Sequence, residues 1–120
     1  MIYMILAPEV DRVKIGISAK VEQRLNNLQT SHSQDLCLVM MLDKPDKYER
    51  VLHKRFAKYR VRGEWFQMCP EIAEFIIFNF GWEYSKTPVT GITSAFNCLA
   101  KHCPEKVEKI IKAAKQLNII

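Results

Sequence analysis

Few features of this sequence place it outside the ordinary folded classes, and each absence removes one possibility. Only four glycines and five prolines occur in 120 residues, with no low-complexity tract and no internal repeat, which excludes linker-like, collagen-like and solenoid chains. No apolar run approaches the roughly eighteen residues a bilayer span needs, and the N-terminus lacks a basic stretch leading into an apolar segment and a cleavage site. A cytoplasmic protein without a membrane segment is therefore expected. Cys37, Cys69, Cys98 and Cys103 form no C-x-x-C pair, so a disulfide framework is not expected and the thiols read as small hydrophobes. Cys98, His102 and Cys103 hint at zinc, but no fourth ligand follows at a suitable spacing, and they read as helix residues.

What is present is a composition of 48% hydrophobic and 26% charged residues, enough for one modest core with at most an appended helical hairpin. The net charge of +5 and pI near 9.1 permit an anionic partner. Its distribution is more informative. Lys44, Lys47, Arg50, Lys54, Arg55, Lys58, Arg60 and Arg62 face only Asp43, Asp46 and Glu49 nearby, a decoration suited to tracking a phosphate backbone.

Two short β-prone runs, 2–7 and 12–17, flank Pro8-Glu9-Val10-Asp11 and read as a hairpin. Tyr3 and Lys14 then lie on neighbouring strands, sharing a face only if the register allows it. Ser18 is a candidate N-cap for a helix over 19–29 with Val21, Leu25 and Leu28 inward and Arg24 at the rim of that stripe. Leu36 to Leu42 reads as a buried third strand. Pro45 opens a helix carrying Tyr48, Val51, Leu52, Arg55, Phe56 and Tyr59 at helical spacing. Arg62-Gly63 breaks it, 64–66 is a short extended piece, and Pro70 starts a helix with Ile72, Phe75, Ile76 and Phe80. Residues 83–93 read as a linker, and helices over 94–102 and 104–117 follow. The expected fold is α+β: a small three-stranded, mainly antiparallel sheet flanked by helices over 1–84, then a linker and C-terminal helical tail over 85–120. The tail's apolar stripe is too wide to leave in water, and a homodimer or partner-protein contact is its expected use.

Four pieces carry chemistry: Ile2-Tyr3, Lys14-Ile15-Gly16, Arg24 and Gly63-Glu64-Trp65-Phe66. They supply a phenol, an amine, a guanidinium and one carboxylate, an inventory suited to cutting a phosphodiester with one divalent metal. Tyr3 precedes Lys14 by eleven residues, Arg24 follows by ten, and Glu64 lies forty further on, past Glu49, Leu52, His53 and Phe56. This spacing resembles the GIY-YIG nuclease superfamily, most closely its small phage and mobile-element branch, which pairs a KIG motif with E-x-x-L-H and G-E-W-F. The resemblance covers about residues 1–80. It departs from the namesake pattern at Met1, where the first motif has glycine, and at Lys14, where the second has tyrosine and this branch has lysine.

The resemblance implies a metal-dependent DNA endonuclease. Glu64 is the expected ligand of Mg²⁺ or Mn²⁺, since such an ion keeps most of its waters and needs as little as one carboxylate. Tyr3 is the expected general base, with Lys14 lowering a phenol pKa that is otherwise near 10. Arg24 is expected to stabilise charge on the scissile phosphate, and the ion on Glu64 to assist the leaving 3′ oxygen. His53, one turn after Glu49, is expected to line the site, with His32 and the late Asn79 as weaker candidates. Arg24, Lys54, Arg55, Lys58 and Arg62 are expected to contact DNA. Residue type alone favours plainer roles: a turn glutamate, a strand tyrosine, a surface arginine, and a core Trp65 and Phe66. Two further readings stay open, an inactive nucleic-acid-binding module and a phage accessory interaction protein.

Overall fold

The computed structural model describes residues 1–79 and 89–116. Strands β1 (Ile2–Ala7) and β2 (Arg12–Ile17) are joined by a 3-10 turn, Pro8–Val10, and by Asp11 in the left-handed region at φ 56°. Helix α1 (Val21–Thr30) leads to β3 (Cys37–Leu42) and α2 (Lys47–Arg55). The short strands β4 (Arg60–Arg62) and β5 (Trp65–Gln67) precede α3 (Pro70–Phe78), and α4 (Val89–Ala100) and α5 (Pro104–Gln116) complete the described chain.

The sheet has five strands in the order β3-β1-β2-β5-β4, every pair antiparallel, which corrects the three-stranded expectation. The two unforeseen strands are three residues each, too short to carry an alternating pattern. They form a hairpin because Gly63, at φ 56°, supplies the positive φ that a two-residue turn requires. The turn is held from both sides, by Arg60 Nε donating to Gly63 O at 2.6 Å and by Ile15 N–H donating to Glu64 O at 3.0 Å.

Alternation along β1 divides the core. Ile2, Met4 and Leu6 point to the main cluster with Ile15, Leu52, Phe56, Phe66, Ile72 and Ile76, while Tyr3, Ile5 and Ala7 point to a second cluster with Val21, Leu36 and Leu38, flanked by Leu25 and Leu28 of α1. Residues directly opposite in an antiparallel pair share a face. The register Tyr3↔Gly16 and Ile5↔Lys14 therefore sets Tyr3, Gly16 and Lys14 on the same side, under α1.

Helix α1 starts two residues later than the sequence suggests. Ser18 Oγ accepts from Lys20 N at 3.0 Å, a local turn that precedes the helix instead of capping it. Helix α2 ends at Arg55, and Tyr59 falls in a separate 3-10 turn, Ala57–Tyr59. Of the expected linker, residues 83–88 lie outside the described residues, as do Phe80 and Leu117, and 89–93 belong to α4.

The apolar face of the α4–α5 hairpin enters the main cluster through Ala95, Phe96, Cys98, Leu99 and Val107. Burial within the chain thus meets the need that made a partner contact the expected use of this stripe. Polar ties reinforce the docking. Cys98 Sγ donates to Asp11 Oδ1 at 3.0 Å, His102 Nε2 lies 3.1 and 3.0 Å from the two Asp11 oxygens, and Lys106 pairs with Glu74. Burial, with the Asp11 carboxylate beside it, pushes the Cys98 thiol up to about 12, so it remains a donor. Cys103 reaches Pro70 O at 3.6 Å, and no three His, Cys, Asp or Glu side chains among the described residues gather to hold a metal. Asp11→Ala removes the acceptor of both ties and forces alanine into a left-handed backbone. A loss of about 3 kcal/mol is expected in urea unfolding, from roughly 2 for the ties and 1 for the backbone.

Candidate active site

Each of the four expected side chains is held by a different element, and the fold brings them together. Tyr3 comes from β1, with 1% of its surface exposed, and Lys14 from β2, with 7% exposed. Arg24 is on exposed α1, and Glu64 sits in the β4–β5 turn, pinned through its backbone to Ile15. Lys14 Nζ lies 3.0 Å from Glu64 Oε2. Its ammonium also lies 5.7 Å from the centre of the Trp65 ring, a favourable site for a desolvated cation.

The space above Gly16 is where these groups converge. A methyl group there would lie 2.5 Å from the Tyr3 hydroxyl oxygen and 3.0 Å from Glu64 Oε2. Closeness favours glycine, since the end of the phenol occupies the volume of a Cβ and the carboxylate borders it.

The electrostatics differ from the sequence expectation. The Tyr3 phenol is pushed up from its ordinary value, first by burial and then by the Glu64 and Glu49 carboxylates, against a hydrogen bond and positive charge from Arg24. Arg24 is a cation that eases Tyr3 ionisation, and Lys14 is ion-paired with Glu64. The exposed guanidinium retains donors for a second anion.

Glu49 is the neighbour that sequence reasoning undervalued. Its carboxyl is raised by burial and by the neighbouring Glu64 carboxyl, and His53 opposes that rise. The signal was its i,i+4 relation to His53. His53 Nε2 lies 3.2 Å from Glu49 Oε1 and 2.9 Å from Ile15 O, both acceptors, which assigns the proton to Nε2. Its ring packs edge-on against Phe66 at 5.1 Å between centroids. His53 therefore ties α2 to β2 at the edge of the site.

Two adjacent, partly exposed carboxylates fit a hard divalent ion that keeps most of its waters, the set being Glu64 with Glu49 beside it. The weaker candidates are placed elsewhere. Asn79 Nδ2 donates to Phe75 O at 2.8 Å within its own helix end, and His32 packs 5.7 Å from the Trp65 ring with Nδ1 at 2.7 Å from Leu28 O. Among the expected DNA contacts, Lys54, Arg55, Lys58 and Arg62 are all exposed, and Arg55 and Lys58 also contact α3 through Phe75 and Glu71.

No helix among the described residues is long and apolar enough to cross a membrane. No curated protein and no solved structure matches the chain. A family model, the T5orf172 domain, matches residues 1–80, a span that contains the converged side chains of β1, β2, α1, α2 and the β4–β5 turn. The chain belongs to the T5orf172 domain family, a phage-associated domain related to the GIY-YIG and HNH-like nuclease group.

Proposed function

We propose that the protein is a GIY-YIG-type endonuclease that hydrolyses DNA phosphodiesters with one Mg²⁺ or Mn²⁺. The observation that carries this reading is the convergence of the Tyr3 hydroxyl and the Glu64 carboxylate over Gly16, with Arg24 bonded to the phenol and Lys14 to the carboxylate. Family membership supports a nuclease or DNA-binding role.

Glu64, with Glu49 beside it, would hold the ion, which would supply positive charge that polarises the phosphate and counters the burial and carboxylate charge that raise the Tyr3 phenol. Arg24 binds the scissile phosphate through donors that never deprotonate and neutralises charge growing on its oxygens. The Tyr3 oxygen, once deprotonated, takes a proton from the attacking water. The water oxygen bonds to phosphorus as the bond to the 3′ oxygen breaks, leaving a 5′-phosphate and a 3′-hydroxyl that takes its proton from solvent. Lys14 positions the Glu64 carboxylate, and His53 holds α2 against β2.

The test is incubation of purified protein with Mg²⁺ or Mn²⁺ and duplex, nicked, branched and single-stranded DNA. Cutting that a chelator stops is expected, and Tyr3→Phe, which keeps the ring, is expected to slow it by about two orders of magnitude. Binding without cutting on every substrate would replace this reading with a DNA-binding module. Neither binding nor cutting would leave the interaction-protein reading.

A further inference from the structure

The positive side chains of α2 and the turn after it separate into two sets. Arg55 stacks over Phe56 and Phe75 at 5.2 and 5.4 Å, and Lys58 lies 3.8 Å from Glu71 and 5.0 Å from the Tyr59 ring centre. These two are engaged with the protein. Lys47, Arg50 and Lys54 are exposed, and among the described residues their side chains make no ion pair or hydrogen bond. They are three and then four positions apart, which places them along one helix face. The small side chain of Ala57 continues the stripe, and Arg60 ends it.

This stripe walls a groove of about 660 Å³ whose far side includes Ile17, at the end of β2. Glu49 and His53 also line the groove, and His53 bonds Ile15 O on β2, beside Lys14 and Gly16, so the groove borders the candidate site at its Glu49 corner. The three cations do not converge on one point. They spread over about 10 Å of helix axis, which suits a repeating anion better than a single one.

We infer that this groove is the track for the phosphate backbone of DNA on one side of the scissile bond, with Lys47, Arg50 and Lys54 as its cation rail. The inference rests on the nuclease reading of the adjoining site and adds to it a path for the substrate. Charge complementarity and continuity with the candidate site select the occupant. The groove is open, and Lys47, Arg50, Lys54 and Arg60 outnumber the carboxylates Asp46 and Glu49 along it, whereas an apolar peptide would find only Ile17 and Ala57 there.

The experiment measures binding of a fluorescently labelled DNA duplex by anisotropy across a salt series, with chelator present so that nothing is cut. The variant K47Q/R50Q/K54Q is compared with K101Q/K109Q/K112Q, which removes the same charge from exposed lysines of the α4–α5 hairpin. The groove variant is expected to bind at least about tenfold more weakly at low salt, with a log–log salt slope shallower by roughly two to three. The hairpin variant is expected to stay within about twofold of the native chain, with an unchanged slope. Equal losses in both variants, or native-like binding by the groove variant, would overturn the track while leaving the nuclease reading in place. A native chain that neither binds nor cuts DNA would overturn both.

Discussion

Glu64→Gln is expected to leave less than about a thousandth of the native cleavage rate, because the substitution removes the anionic oxygen that a hard divalent ion needs. The fold should survive. Lys14 is nearly buried and 3.0 Å from Glu64, so deleting the partner outright would strand a desolvated ammonium, whereas the glutamine carbonyl still accepts from it. DNA affinity without metal should stay within about threefold, since the surface lysines and arginines are untouched. A second readout follows from the sign of the Tyr3 perturbation. Glu64 is among the groups that raise the phenol, so removing its charge should lower the Tyr3 pKa, and phenolate absorbance should develop at lower pH. The chain has four tyrosines, and subtracting the titration of a Tyr3→Phe, Glu64→Gln double variant isolates the one that matters. Native-rate cutting by Glu64→Gln would remove Glu64 from the metal role.

Gly16→Ala is expected to cost about three orders of magnitude in cleavage while leaving the protein folded. The added methyl would lie 2.5 and 2.6 Å from the end of Tyr3 and 3.0 Å from the Glu64 carboxylate, so the phenol must shift and the carboxylate give slightly. The carboxylate can give by a few tenths of an ångström, but the Tyr3 ring, buried among Ile5, Val21 and Leu38, cannot move as easily. Overpacking of this kind costs about 1–3 kcal/mol, to be read from the urea midpoint. The cause is separable by a double-mutant cycle: if Gly16→Ala acts through the phenol, its effect on a Tyr3→Phe background should be much smaller than on the native one. Additive losses would show that the methyl acts elsewhere.

The hairpin and the buried third strand were legible as apolar runs bounded by turn or acidic residues, and the helix of Arg24 as a stripe at helical spacing. Tyr3, Lys14, Arg24 and Glu64 could be selected from their spacing, and their convergence depends on the register Tyr3↔Gly16, which the hairpin sequence alone leaves open. Strands β4 and β5 were illegible as sheet members because three-residue strands derive their identity from pairing with β2 and each other. The basic stretch from Lys44 to Arg62 looked uniform in sequence. In the fold, a one-residue step along α2 separates Lys54, on the groove, from Arg55, stacked on aromatic rings. The docking of α4 and α5 was hidden for another reason: an amphipathic helix shows that it needs a partner surface, not which one.

The tie between Asp11 and His102 spans 91 residues and that between Asp11 and Cys98 spans 87, and both close on the tip of the hairpin whose strands carry Tyr3 and Lys14. Closing loops of that length is entropically unfavourable and gains nothing until the end contacts form. The α4–α5 hairpin should therefore dock late in folding, after the local hairpins have paired. Until it does, the main core lacks Phe96, Leu99 and Val107, and on that face the strands beneath the site rest on α2 and α3 alone. In refolding, recovery of cleavage should lag behind recovery of β-sheet signal and follow the burial of α4, although no side chain of α4 or α5 belongs to the active site.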